Sequence, residues 1–457
     1  MDKRLQAAFA AIVGERNVLT SAADTAPYTR DWRRQYSASA EAVLCPGSTA
    51  QVAALVGLCA REGVAVVPQG GNTGLCGGSV PTGTRREIVL SLGRLNRIRG
   101  VDALNDTLTA EAGCVLAEVQ KAAEQADRLF ALSLAAEGSC QIGGTLSTNA
   151  GGVNVLRYGN AREQVLGLEV VLPDGRVWNG LRALRKDNTG YDLKQLFIGA
   201  EGTLGVITAA VLKLHPRPGA QATAWIGVRD PGRAVALLAR LHARLGERIS
   251  AFELASRACL EAVLVHDPSA RDPLPVPHAW YVLAEFADAG TQEALAAQVA
   301  QALADAAELD DAVLATSAAQ ARALWKLRET IPEAQFANVK HDISVPVSRV
   351  PEFIARAADT LQAAFRGVAL YAFGHIGDGN IHYNVGDADL MARRDEVNAV
   401  VYAAVEALGG SISAEHGLGQ LKREAVRAHK DPLELELMAA LKRTLDPQGL
   451  MNPGKLL

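Results

Sequence analysis

The sequence predicts an α+β protein of at least two domains, and three observations carry that expectation. The chain has 457 residues, more than one ordinary core accommodates. Its first half holds two glycine-rich stretches beside strand-like segments, "PQGGNTGLCGGS" (68–79) and "AAEGSCQIGGTLSTNAGGVNVLRYG" (135–159). Past residue 218 the texture changes to strands alternating with alanine-rich helices, an order that builds a helix-covered sheet.

The elements follow in order. "MDKRLQAAFAAIVGERNVLT" reads as an amphipathic helix; with Asp2 and Glu15, and without a hydrophobic core or cleavage site, it is not a secretory leader. "STAQVAALVGLCAREG" suits a helix, "VAVVP" a strand, then come the first glycine loop and the strand "EIVLSL". A helix in "LAEVQKAAEQADRL" precedes the second glycine-rich stretch. "VLGLEVVLPDGRVWNG" reads as a hairpin turning at Pro173-Asp174-Gly175. "LFIGAEGTLGVITAAVLKLHPRP" ends at the Pro216/Pro218 breaker, which places a domain boundary near residue 218. Three strand–helix–strand rounds fill 219–415, and 416–457 form a C-terminal segment expected to pack back on the first domain.

Bulk properties exclude several classes. Hydrophobic residues make up 49%, charged residues 21% and the net charge is −4, with no basic cluster, so nucleic acid and anionic membrane are poor partners. No apolar run reaches bilayer-spanning length. The six cysteines contain no C-x-x-C, which argues against a thiolate zinc site and a disulfide framework and favours a reducing cytoplasm.

Two patterns carry chemistry. "YAFGHIGDGNIHYNV" (371–385) places His375 and His382 around Asp378-Gly379, a dipeptide suited to a two-residue hairpin loop. That loop would pair His375 directly with His382, with Cβ atoms roughly 4.5–5.5 Å apart, and would put Asn384 on the face of His382. The two glycine loops permit turns that aim backbone N–H groups at an anion such as a pyrophosphate. Neither loop matches the dinucleotide or P-loop fingerprints.

"VVPQGGNTGL", "EGSCQIGGTLSTNAGG", "RYGNAREQVLGLEVVLPDGRV", "GAEGTLGVIT", "FGHIGDGNIHYN", "ISAEHGLGQLK" and "LDPQGLMNPGK" occur in an order and spacing that resembles the FAD-linked D-2-hydroxyacid dehydrogenases of the vanillyl-alcohol oxidase-like flavoprotein fold. The resemblance covers the chain from about residue 40. It implies a two-subdomain FAD-binding domain (1–218) and a substrate cap (219–415) built on a mainly antiparallel sheet. It further implies non-covalent FAD held by Pro68, Gln69, Gly70, Gly71, Asn72, Thr73, Gly74 and Leu75. Gly138, Gly143, Gly144, Ser147, Asn149, Gly151 and Gly152 would join them, with Glu201, Gly202, Ile207 and Asn452. Residues of the first loop include no His for covalent attachment, and Cys140 reads as a small packing residue.

By the same resemblance, His375, His382 and Glu415 would bind a divalent cation, Zn²⁺ first and Mn²⁺ second. His416, beside them, would serve as general base. An extended "SAEHG" segment would point Glu415 and His416 to opposite faces. Arg328 and Lys340, which composition alone would leave on solvated faces, would meet substrate carboxylates, with Asn384 assisting. The hydroxyl that relatives carry four residues after this Arg is replaced by Pro332. The implied reaction is oxidation of D-2-hydroxyglutarate to 2-oxoglutarate with hydride transfer to flavin N5. D-lactate or another D-2-hydroxy acid is the alternative substrate. Reoxidation would fall to an electron-transfer flavoprotein, a quinone or a cytochrome, and a homodimer is the family's usual assembly. A metal hydrolase using the same histidines is the rival from another class; it leaves both glycine loops without a role.

Overall fold

Sequence-local signals start and stop the helices. Ser48 caps Thr49–Glu62 by accepting from Gln51 N–H, and Ser317 does the same for Ala318–Ala334 through Gln320 N–H. Asp230 caps Pro231–Leu245, with Pro231 in the first turn, where a missing N–H costs nothing. The computed structural model describes residues 1–335, 337–386 and 388–457. Among them the chain forms two compact units: 1–151 with 160–217 and 415–457, and 152–159 with 218–414.

The first unit has two main sheets. One is mixed, in the order Val18–Leu19, Val43–Leu44, Glu87–Ser91, Ala65–Gln69, its last three strands parallel. The C-terminal segment joins it at Met451, which bridges Val66 in parallel, and Asn452 N–H donates to the Val66 carbonyl. The other sheet is antiparallel, in the order Ile98–Asp102, Thr107–Glu111, Val206–Lys213, Val165–Val171, Val177–Gly180. Cys140 is buried in the core beside this second sheet, as a packing residue would be.

The second unit is one seven-stranded antiparallel sheet with strands Asp311–Leu314, Ala220–Val228, Trp280–Asp288, Ile249–Ser256, Leu370–Gly374, Asn380–Val385 and Val339–Ser344 in that spatial order. The α+β class and the antiparallel cap sheet match the expectation. On one face Tyr383 meets Phe353 of the helix Val350–Ala364. On the other, Trp225, Tyr281, Leu283 and Phe373 form a core with Leu324, Leu327 and Ile331 of the helix Ala318–Ala334.

The hairpin register differs from the expected one. His382 pairs with Phe373, not with His375, and residues 375–379 form a five-residue loop. Tertiary anchoring decides this: Gly377 N–H donates to the Phe252 carbonyl, and Val345 N–H donates to the Gly379 carbonyl. Gly379 adopts φ +84°, and a Cβ there would lie 2.1 Å from the Val345 carbonyl oxygen. Among the described residues no helix is long and apolar enough to cross a membrane.

Gly379→Ala should therefore destabilise the second unit by about 1–3 kcal/mol from the backbone conformation alone. The collision with Val345 adds to that, and a lowered thermal midpoint checks it. An unchanged midpoint would mean the loop is not held as described.

Candidate active site

Antiparallel register assembles the polar residues of the second unit on one face of its sheet. Residues opposed across strands share a face, as do residues two apart along a strand. Asp342 opposes His382, His382 opposes Phe373, and Phe373 opposes Ala255. Two residues along, Lys340 opposes Asn384, and Asn384 opposes Tyr371. Glu253, two before Ala255, is on that face too. Lys340, Asp342, His382, Asn384 and Glu253 thus come from three strands to one surface.

Arg328 reaches the same surface from the helix Ala318–Ala334. It is not the solvated cation that composition suggests: it is 8% exposed, with its guanidinium over the Phe373 ring at 5.1 Å. Its Nε donates to Glu253 Oε2 at 2.6 Å. The other Glu253 oxygen lies 2.9 Å from His375 Nδ1. Burial alone would push the Glu253 carboxyl up, but the charges of Arg328 and His375 outweigh it and hold the group well below the carboxylate range. The His375 and His382 rings meet edge to face, centroids 6.0 Å apart, and His382 Nδ1 is 3.9 Å from Asp342 Oδ1. Asn384 Nδ2 donates to Gln335 Oε1, and Lys340 Nζ donates to the carbonyl of Pro332. Asp342 Oδ1 accepts from Asn380 Nδ2, and Ala414 N–H donates to the Asp342 carbonyl.

In the first unit, Glu415 and His416 do not sit on an extended segment. The backbone bends there, and His416 Nε2 lies 3.5 Å from Glu415 Oε1, so the expected opposite-facing arrangement is absent. The turn that follows is clasped by Glu201: its carboxylate accepts the N–H groups of Leu418 at 2.7 Å and Gly419 at 2.9 Å. Glu201 itself has φ +50°, and Asn452 Nδ2 donates to its carbonyl and to that of Gly78. Burial pushes the Glu201 carboxyl up in pKa, with the two N–H bonds opposing. Both residues expected at a cofactor thus have side chains committed to the protein. Gly202 and Ile207 are buried in the following turn and strand.

The two glycine loops meet. A Cβ on Gly71 would fall 2.0 Å from the Ser139 carbonyl oxygen, so only glycine permits the approach. Gln69 donates to the carbonyls of Tyr28 and Ser79, and Asn72 to those of Pro27 and Arg30, which stiffens the first loop. Among the described residues, none of the backbone N–H groups from Gly70 to Gly74 donates to a protein acceptor. Added Cβ atoms on Gly74, Gly138 and Gly144 would meet open space, and Gln141 Oε1 is buried without a hydrogen-bond partner among the described residues. Unused N–H donors along a glycine rim fit the pyrophosphate of a dinucleotide. Ser147, by contrast, donates to the Gly143 carbonyl, and Asn149 Oδ1 accepts Arg162 N–H. Gly151 closes its segment of the first unit, while Gly152 and the helix Val155–Tyr158 belong to the second.

Glu253 and Asp342 are the residues that sequence reasoning missed. Glu253 carried a signal: a lone carboxylate within "ISAFELAS", a strand with every residue buried, requires partners.

The family model for the C-terminal domain of FAD linked oxidases matches residues 217–456, and that for an FAD binding domain matches residues 40–180. The chain is 40% identical over 446 residues to the D-2-hydroxyglutarate dehydrogenase of Xanthomonas citri pv. viticola, covering 96% of this chain and 93% of that protein. It is also 40% identical over 447 residues to the mitochondrial D-2-hydroxyglutarate dehydrogenase of Bos taurus, covering 96% and 81%. Among solved structures, p-cresol methylhydroxylase superposes with a TM-score of 0.77 at 19% identity, over 99% of this chain and 96% of that one, which shows the shared fold.

Glu201→Gln replaces one acceptor oxygen of the clasp with a donor. Losing a hydrogen bond to a buried charge costs about 1.5–3 kcal/mol, so amide exchange at Leu418 or Gly419 should quicken by about 10- to 100-fold. Unchanged exchange at both would remove the clasp.

Proposed function

Because the chain belongs to the FAD-linked D-2-hydroxyacid dehydrogenases, oxidoreductases acting on a CH–OH group, we propose that its substrate is D-2-hydroxyglutarate and its product 2-oxoglutarate. The observation that carries the substrate assignment is the Arg328 guanidinium. It is buried, its Nε is taken by Glu253, and among the described residues neither terminal nitrogen donates to protein. Two terminal nitrogens in one plane suit bidentate capture of a carboxylate. Lys340 offers a second cation on the same sheet face, which favours a dicarboxylate over D-lactate.

FAD is proposed to lie non-covalently against the rim Gly70–Gly74 and Gly138–Gly144. A divalent cation, Zn²⁺ first, is proposed for His375, His382 and Glu415, a donor set of two imidazoles and a carboxylate suited to an open site. When bound, FAD supplies a hydride acceptor at N5 and the cation supplies Lewis-acid polarisation of the C2 hydroxyl. The chain's own residues do the rest. Arg328 and Lys340 bind the carboxylates, Asn384 orients the substrate, and His416 takes the hydroxyl proton as the C2 hydride departs. Turnover then requires an external electron acceptor, of the flavoprotein, quinone or cytochrome class. Six cysteines, all unbridged, support a reducing compartment, the cytoplasm in our reading.

The test is an anaerobic titration followed in the flavin absorbance band. D-2-hydroxyglutarate should bleach the band at lower concentration than D-lactate, chelation should abolish bleaching, and added Zn²⁺ or Mn²⁺ should restore it. Preferential bleaching by D-lactate would move the substrate, and full bleaching after exhaustive chelation would remove the cation. His416→Ala should retain FAD while turnover falls by about 100-fold or more. Near-normal turnover would take the proton-acceptor role from His416.

A further inference from the structure

Behind Asn384, a chain of hydrogen bonds runs through Gln335 to Cys259, and all three residues are buried. Asn384 Nδ2 donates to Gln335 Oε1 at 3.0 Å, and Gln335 Nε2 donates to Cys259 Sγ at 3.5 Å. The sulfur also accepts from the Ser256 hydroxyl at 3.3 Å, and its own proton is directed to the Ala372 carbonyl, 3.6 Å away. Burial pushes the Cys259 thiol up to about 11, so it keeps that proton at neutral pH. A thiol has one proton to give. With that proton on Ala372, the sulfur meets Gln335 only as an acceptor. The Gln335 amide therefore presents its NH₂ to Cys259 and its oxygen to Asn384, and Asn384 presents its NH₂ to Gln335. Asn384 Oδ1 is the end left for the polar face of the sheet, and among the described residues no donor reaches it.

We propose that Gln335, anchored on Cys259, is a positioning residue that turns the Asn384 oxygen toward the substrate and makes this position select a hydroxyl over a carbonyl. This rests on the function proposed above, in which Asn384 orients the substrate. An amide oxygen accepts a hydrogen bond from the hydroxyl of a D-2-hydroxy acid. Against the keto oxygen of a 2-oxo acid, or against a carboxylate, it sets acceptor against acceptor. Carboxylates are thereby left to Arg328 and Lys340. The bond to Asn384 lasts only while the proton is on the C2 oxygen. Once His416 has taken that proton and the hydride has left, the 2-oxo product has no donor for Asn384, and its release is eased. Gln335 and Cys259 touch no reacting atom; they act through Asn384 alone.

Gln335→Met keeps the length of the side chain and removes both of its polar contacts, so the Asn384 amide can turn its NH₂ outward. The measurement is anaerobic rapid mixing of the FAD-loaded enzyme with D-2-hydroxyglutarate, followed in the flavin band. The concentration dependence of bleaching gives the Kd of the substrate, and competition by 2-oxoglutarate gives that of the product. The ratio of product Kd to substrate Kd should fall by about 10-fold in Gln335→Met, the worth of one hydrogen bond. Cys259→Ala removes the anchor, spares Gln335 and should lower the ratio in the same direction. Cys259→Ser restores one proton and one acceptor and should keep the wild-type ratio. Equal weakening of both ligands in Gln335→Met is what lost packing alone would give, and it overturns the proposal while the proposed function stands. Should Gln335→Met fail to fold, a wild-type ratio in Cys259→Ala overturns it as well. If D-lactate bleaches the wild type in place of D-2-hydroxyglutarate, the same ratio is read with D-lactate and pyruvate, and a fall supports the proposal as before. If no D-2-hydroxy acid bleaches the wild type, the proposed function fails and this proposal with it, before any variant is compared.

Discussion

Period-two alternation across an antiparallel sheet is the constraint on which the polar surface of the second unit depends. Glu253, the pair Lys340 and Asp342, and the pair His382 and Asn384 lie on three strands far apart in sequence, yet pairwise register puts all five residues on one face. A slip of one residue in any strand would turn that strand's polar set onto the apolar face where Tyr383 meets Phe353. The cost of burying those groups against aromatic rings enforces the register. Chemistry and folding stability therefore select the same pairing.

Charge compensation is the second organising element. Carboxylates that would be costly alone are each answered by donors. Glu253 is answered by the Arg328 guanidinium, and Glu201 by the N–H groups of Leu418 and Gly419. In both cases the compensated group sits one shell behind residues with proposed chemical roles. Glu201 holds the turn that follows His416, and Glu253 stands behind His375. Rigid support of this kind keeps a functional side chain within the small tolerance that hydride and proton transfer require.

The glycine-rich rim works on a different principle. Gly71 is required by backbone approach to Ser139, whereas Gly74 and Gly144 border open space. Backbone N–H groups at Gly70–Gly74, left without acceptors among the described residues, would be unfavourable in a closed loop and are well suited to an anionic ligand.

The sequence alone determined the α+β class, the glycine loops and the clusters of chemical residues, because these are local: periodicity, turn dipeptides and motif spacing are written in neighbouring residues. It also pointed to His375 and His382 as a pair. What it misjudged was set by distant partners. The Asp378-Gly379 turn looked like a two-residue loop, but bonds to Phe252 and Val345 stretch it to five residues and move His375 off the ladder. Arg328 looked solvated until Glu253, 75 residues away, drew it into the interior. "SAEHG" looked extended, but its bend is held next to the Glu201 clasp, more than 200 residues upstream. Local propensity selects the elements; which buried charge meets which partner is decided only when strands far apart in sequence come into register.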